Sequence, residues 1–240
     1  MIVNGIDLST LKDQFEGYVP GRTLIRDGDG PAYQAAATAK TLPTAIKRMQ
    51  QIILSDMFLT ESEFATVHLT AQSSSKAGRF NIRGVKPYQG QRGGKAKPPL
   101  LESVRQAFAL PENWPPNIKA ELHYELEADD GMMMESYRLK EHGVIMSEDK
   151  DLSMTPYNYW HAKSGRIVVP GVHGKIEPHY TDAGHYKLVG YGRLFFWAQM
   201  LMGDTADNIG GIQKLDGKLC GPVSAYEALV DAQDEDRSEE

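Results

Sequence analysis

The sequence predicts an α/β chain with a mainly parallel sheet flanked by helices, and three observations point there. Short apolar runs of strand character alternate with segments of helical period, the pattern of strand–helix–strand units. Acidic residues stand directly behind those apolar runs. At 240 residues, with 41% hydrophobic and 24% charged residues, the chain is long enough to bury a full core.

In chain order, residues 1–20 form a short, partly helical extension. Thr23-Leu24-Ile25-Arg26 is a first strand ending at Asp27-Gly28-Asp29-Gly30, where Asp29 reads as a turn residue or, alternatively, as a residue that supports metal ligands from behind. Thr44 to Phe58 carries apolar residues at helical spacing and predicts an amphipathic helix. Ala65 to Leu69 is a second strand, followed by a Gly/Pro-rich loop over 70–99. Helices are expected over 100–110 and Glu127–Leu139, with a third strand at Gly143–Ser147. The Tyr-, His- and Gly-rich stretch 155–186 reads as a β-hairpin excursion. An apolar helix over Tyr191–Gly203, a Gly-rich turn, a helix around Val223–Leu229 and a solvated acidic tail complete the chain. This divides it into a domain over 1–186 and a module over 187–240.

Composition narrows the class. No apolar run approaches the roughly 18–20 residues of a bilayer span. The N-terminus lacks the basic start of a signal peptide, so a cytoplasmic setting without membrane contact is expected. The single cysteine, Cys220, excludes an internal disulfide and a multi-cysteine zinc site, and reads as a packed thiol. The net charge of −6 argues against a generic nucleic-acid coat protein. Its distribution is more telling: Lys76 to Lys97 holds seven basic residues and no acidic one, whereas Glu125 to Asp151 holds nine carboxylates. A basic track beside an acidic cluster suits phosphate binding next to a metal site.

The acids recur where chemistry is expected. Asp27 follows the first strand; Glu127, Asp129 and Asp130 open a helix; Asp149 and Asp151 follow the third strand; Asp204 and Asp207 lie in a helix-terminal turn. In a parallel sheet the strand C-termini share one edge, where ligands bind. Clustered carboxylates repel and need a counter-charge, and hard oxygen donors favour Mg²⁺, with Mn²⁺ as substitute. Two such ions roughly 3.5–4 Å apart can activate water and stabilise a leaving oxygen. Spacing alone leaves open the alternative of unrelated caps and surface acids.

Other motifs fail on inspection. Asp27-Gly28-Asp29-Gly30 is not a calcium loop, because Pro31 and Thr38 stand where ligands are needed. Gly93-Gly94-Lys95-Ala96 lacks the spacing of a P-loop. His173, His179 and His185 lack zinc spacing and read as hairpin or surface residues. Trp160, Trp197 and Phe195-Phe196 read as core.

Four blocks resemble the 5′-nucleases of phages and of bacterial DNA polymerase I: Asp27-Gly28-x-x-x-Ala32-Tyr33, Glu127-Ala128-Asp129-Asp130, Ser147-Glu148-Asp149-Lys150-Asp151-Leu152 and Gly203-Asp204-Thr205-Ala206-Asp207-Asn208-Ile209. They occur in the family's order. The resemblance implies a PIN-like fold with an arch over the active site, near 70–99, and a C-terminal helix–three-turn–helix module. It further implies Mg²⁺-dependent cleavage of DNA at a 5′ end or flap. Asp27, Glu127, Asp129, Asp130, Asp149 and Asp151 would serve the tighter of two metal sites, Asp204 and Asp207 the second; Asp27, Asp130 and Asp149, with Arg83 and Arg92, would be catalytic.

The arch pattern is kept by Phe80, Tyr88 and Arg92, but Asn81 stands where an Arg is usual and Gln89 where the family has a Lys. Arg79, Arg83, Lys86 and Lys95 are the candidates for the missing charge. Arg79, Lys86, Tyr88, Lys95 and Lys97 would meet DNA, with Tyr88 stacking on a base. The acid that the family places after the second strand is missing: Leu69 to Ser75 offers only neutral oxygens. Gly221-Pro222-Val223-Ser224-Ala225 resembles the remnant of a duplex-gripping turn, with Gly221 and Ser224 at the strand and K⁺ on its carbonyls as an option. Two other readings stay open: a catalytically weak or inactive DNA-structure-binding protein, and a ribonuclease acting on RNA–DNA hybrids. The oligomeric state is left open.

Overall fold

The computed structural model describes residues 2–3, 6–7, 17–81, 96–204, 209–215, 217 and 220–237. Ile2–Val3 (β1) and Ile6–Asp7 (β2) pair antiparallel, so the start of the expected partly helical extension is a β-ribbon. Val19–Asp27 (β3) leads into Asp29–Thr38 (α1) and Leu42–Leu59 (α2). Ser62–Thr70 (β4), Leu101–Phe108 (α3), Ile118–His123 (β5), Ala128–Leu139 (α4) and Gly143–Met146 (β6) follow. Tyr159–His161 (β7) and Arg166–Val168 (β8) form one hairpin; Lys175–Tyr180 (β9) and Tyr186–Tyr191 (β10) form another. The chain closes with Gly192–Met202 (α5), Gly203–Asp204 (β11), Ile209–Gly210 (β12) and Pro222–Arg237 (α6).

Six strands form the main sheet in the order β5-β4-β3-β6-β7-β8. All neighbours are parallel except β7 and β8. The expected mainly parallel sheet flanked by helices is therefore present. From β3 the chain first winds outward through β4 to β5, then crosses back to β6 on the other side. The β3–β6 seam is thus the topological switch point, where a crevice opens beyond the strand C-termini. Asp27 and Ser147 lie on either side of it.

Local sequence explains the flanking elements. Thr41 caps α2 by accepting from the Thr44 N–H, Pro43 occupies its first turn, and Ala45, Met49, Ile53 and Met57 recur at fourfold spacing on its buried face. Pro31, Ala32, Ala35 and Ala36 give α1 a small-residue buried face. With β3, β4 and α3 these residues build the main core, in which Leu24, Val67, Leu69 and Phe108 are fully buried. Buried Arg26 ties the layers together: its Nε meets Asp56 at 2.7 Å and its Nη1 donates to the carbonyls of Asp27 and Met146 at 3.0 Å.

A separate cluster joins β9, β10, α5 and α6 through Ile176, Leu188, Leu194, Phe195, Ala198 and Ala225. Residue 186, the division drawn from sequence, falls inside this unit, because β9 and β10 pair along their whole length. The last helix runs to Arg237, so a helical backbone continues into what reads as a solvated tail.

Candidate metal centre

Asp27 ends β3, and the chain must turn at once into α1. Gly28 permits this. Its N–H donates to the His68 carbonyl at 2.7 Å, and a Cβ there would lie 2.7–2.9 Å from Val67, His68 and Leu69. The tight turn leaves Asp27 at the switch point with both oxygens used: Oδ1 accepts from the Asp29 N–H at 3.0 Å and Oδ2 from Ser147 Oγ at 2.8 Å. Ser147 Oγ in turn accepts from the Asp149 N–H at 3.0 Å, and Asp149 Oδ1 accepts from the Asp151 N–H at 3.0 Å. Lys150 Nζ then bridges Asp151 at 3.2 Å and Asp204 at 2.9 Å. The two carboxylates outweigh burial and hold the Lys150 ammonium above its ordinary pKa. Gln199 on α5 also donates to Asp151 at 3.3 Å.

The other acids come from the start of α4. Glu127 and Asp130 form a capping box, each side chain accepting from the other's backbone N–H, with the Glu127 N–H at 3.0 Å from Asp130 Oδ2. Asp129 lies between this pair and the strand-end acids. Burial, then the charges of Asp27, Asp149, Glu127 and Asp29, push its carboxyl up to about 7. Asp130 goes the other way: hydrogen bonds from Arg79 and from the Glu127 backbone outweigh burial and lower it. Arg79 forks onto Asp130 at 2.6 and 2.9 Å and reaches Glu127 at 2.7 Å, while Lys76 meets Glu127 at 2.8 Å. An all-oxygen donor set that keeps a carboxyl protonated near neutrality fits a hard divalent cation.

Asp27, Glu127, Asp129, Asp130, Asp149, Asp151 and Asp204 are thus linked in one cluster; Asp207 lies outside the described residues. So do Arg83, Lys86, Tyr88, Gln89, Arg92 and Lys95 of the basic loop. Lys97 is exposed, and Gly221 and Ser224 are half-buried at the start of α6. Trp197 and Phe196, read as core, are 55% and 41% exposed, because α5 turns Gly192, Leu194, Phe195 and Ala198 inward instead.

Three contributors take roles other than the ones the sequence favoured. Asp29 is more than a turn residue: its Oδ1 accepts from the Thr70 N–H at 3.2 Å and from Arg105 Nη2 at 2.9 Å. It therefore brings a carboxylate to the end of β4, where the sequence itself offers only neutral oxygens. Ser147 joins Asp27 to Asp149, a role hinted at by its place two residues before the acid. The third is the polar chain under α4. His68 Nε2 meets Glu135 at 2.7 Å and His68 Nδ1 meets His123 Nε2 at 2.9 Å. His68, Glu121 and His123 bring ligand atoms within 4.8 Å of one another. However, the two imidazoles are coplanar within 2° with centroids 5.2 Å apart, so their nitrogens face each other along a hydrogen bond. That geometry suits a clamp on α4 better than a shared ion.

No family model and no curated relative matches the chain. Solved structures do. T5 5′-exonuclease with bound zinc ions matches at a TM-score of 0.55 and 16% identity, over 88% of this chain and 75% of that one. The bacteriophage T5 flap endonuclease, as a pseudo-enzyme–product complex with DNA and metal ions, matches at 0.52 and 15%, over 88% and 75%. The chain shares the fold of the T5 5′-exonucleases.

Proposed function

We propose that the chain is a divalent-metal-dependent nuclease that hydrolyses phosphodiester bonds of DNA at or near a 5′ end or flap. The observation that carries the proposal is the convergence of carboxylates on Asp129, whose carboxyl is pushed up to about 7 first by burial and then by the charges of Asp27, Asp149, Glu127 and Asp29. That surplus of negative charge is what a Mg²⁺ or Mn²⁺ ion neutralises. Asp27, Glu127, Asp129, Asp130, Asp149 and Asp151 would hold one ion, and Asp204 with Asp207 a second. When bound, such ions polarise a phosphoryl oxygen and acidify water.

The chain's own residues arrange the rest. Ser147 fixes Asp27 and Asp149 relative to each other across the switch point. Lys150 holds Asp151 and Asp204 together. Arg79 sets positive charge at the rim of the cluster, and Arg83, Lys86, Arg92, Lys95 and Lys97 would track phosphates, with Tyr88 stacking on a base. Gly221 and Ser224 would meet one duplex strand, with K⁺ on the carbonyls of that turn. The likeness to a T5 flap endonuclease solved with DNA and metal ions supports this reading.

The test is a panel of 5′- and 3′-labelled flap, nicked and blunt duplexes with Mg²⁺ or EDTA, beside Asp149→Ala. Mg²⁺-dependent release of 5′ fragments is expected, and the substitution should slow it on the order of a hundredfold. Cleavage indifferent to both EDTA and Asp149→Ala would refute the proposal. Binding without cleavage of any substrate would favour a DNA-structure-binding protein.

A further inference from the structure

We propose that Arg79, seconded by Lys76, is the resident counter-ion of the acid cluster, sitting on Glu127 and Asp130 until a divalent cation displaces it. The inference rests on the metal reading above and concerns what holds the cluster together before metal arrives.

The cluster falls into two parts. Asp27 and Asp149 are held by Ser147 and by backbone N–H groups, which fix their position without cancelling their charge. Glu127 and Asp130 are instead met by cations, Arg79 at 2.6–2.9 Å and Lys76 at 2.8 Å. Both carboxylates are committed to the capping box of α4, so neither can swing away without uncapping the helix. Arg79 and Lys76 keep side-chain exposures of 30% and 21%, which leaves room to exchange them for another cation.

The backbone that delivers these two side chains is unusual. Lys76, Ala77 and Gly78 have φ values of 50°, 53° and 74°, three consecutive left-handed residues of which only the last is glycine. Such a conformation persists when its surroundings over-determine it. Here the ties are the Ala77 N–H to the Glu125 carbonyl at 2.6 Å, the Ser75 N–H to the Tyr124 carbonyl at 3.0 Å, and the ion pairs themselves. A divalent ion added beside Asp129 repels the guanidinium and competes for the same oxygens. Loss of the ion pairs removes part of what holds the left-handed turn, so metal loading and relaxation of this turn are coupled.

The test is Mn²⁺ binding to the full chain without DNA, read from the electron paramagnetic resonance signal of free Mn²⁺ at low salt. The proteins are wild type, Asp129→Asn, Arg79→Ala and Arg79→Lys, with folding checked by near-ultraviolet circular dichroism. Arg79→Ala should bind about tenfold more tightly than wild type, and Arg79→Lys close to wild type, because one competing charge is removed or kept. Affinity in Arg79→Ala equal to or weaker than wild type overturns the counter-ion role. If wild type binds no Mn²⁺, or Asp129→Asn binds as well as wild type, it is the metal reading that falls. Should Arg79→Ala not fold, Lys76→Ala replaces it; a gain of about threefold is expected, and no gain overturns the proposal.

Discussion

Glu135 Oε2 on α4 lies 2.7 Å from His68 Nε2 on β4, and both side chains are buried beneath the helix that carries Asp129 and Asp130. Thr66 and Arg138 also donate to Glu135, at 3.1 and 2.6 Å. The clamp fixes α4 on the sheet two turns away from its acidic start. The acidic residues that open this helix, Asp129 and Asp130, therefore inherit their position from a contact that touches neither of them.

The clamp predicts an acid limit to stability. Burial would raise the Glu135 carboxyl, but the His68 hydrogen bond and charge, then Arg138 and Lys119, outweigh it and hold it down at about 2. A carboxyl depressed in the fold adds stability above its ordinary value near 4.5, and that stability is lost as pH falls toward 2. Urea unfolding of wild type and Glu135→Gln should differ by on the order of 2–3 kcal/mol at pH 7, and the gap should shrink below pH of about 4.5 and close only near pH of about 2. A pH-independent gap would remove ionisation from the explanation.

Gly131 tests how closely α4 must approach. A Cβ at this position would lie 2.4 Å from His123 Nε2 and 2.7 Å from His68 Nδ1. Gly131→Ala must therefore lift the helix or break the histidine pair. A loss of roughly 1–3 kcal/mol in denaturant unfolding is expected, despite the better helix propensity of alanine. Mn²⁺ affinity should fall with it, because Asp129 and Asp130 sit in the same turn. A stabilised Gly131→Ala protein would show that the helix does not sit where the histidines require.

Asp129 links metal, protons and stability. Its carboxyl is raised to about 7, so the metal-free fold gains a proton that the unfolded chain lacks between pH of roughly 4 and 7. Stability of the metal-free protein should accordingly fall as pH rises through that window. Asp129→Asn should raise the melting temperature at pH 8 and change it little at pH 4. Mn²⁺ binding at pH 6.5 should release about one proton, measurable by titration calorimetry in two buffers of different ionisation enthalpy. Proton release that is unchanged in Asp129→Asn would assign it to another group.

Much of this site was legible in the sequence because its parts are local. The helices expected over 44–58 and 127–139 match α2 and α4 to within two residues at each end. Asp27 and Asp149 stand directly behind apolar strands, so their arrival at one edge follows from parallel pairing. Two elements of the main sheet and its flanking helices escaped. The buried face of α1 is proline and alanine, which carries little periodic contrast. In β5 Ile118, Ala120 and Leu122 alternate with Lys119, Glu121 and His123 over only six residues, and of the six only Ile118 is buried. The hairpin extends past residue 186 to Tyr191 because β10 pairs with β9 along its whole length, a partnership that local sequence does not record.

By itself, the sequence determined which residues are acids, which strand or helix ends they occupy, and that a basic segment precedes α3. Only the tertiary structure decided that β6 lies beside β3, that Asp29 brings its carboxylate to the end of β4, that Arg79 sits on Glu127 and Asp130, and that Glu135 meets His68. Each of these joins residues from different elements, brought together only when strands pair and helices settle on the sheet. Local propensity records the ends of elements but not which ends become neighbours, and the charge balance of this site depends on the neighbours.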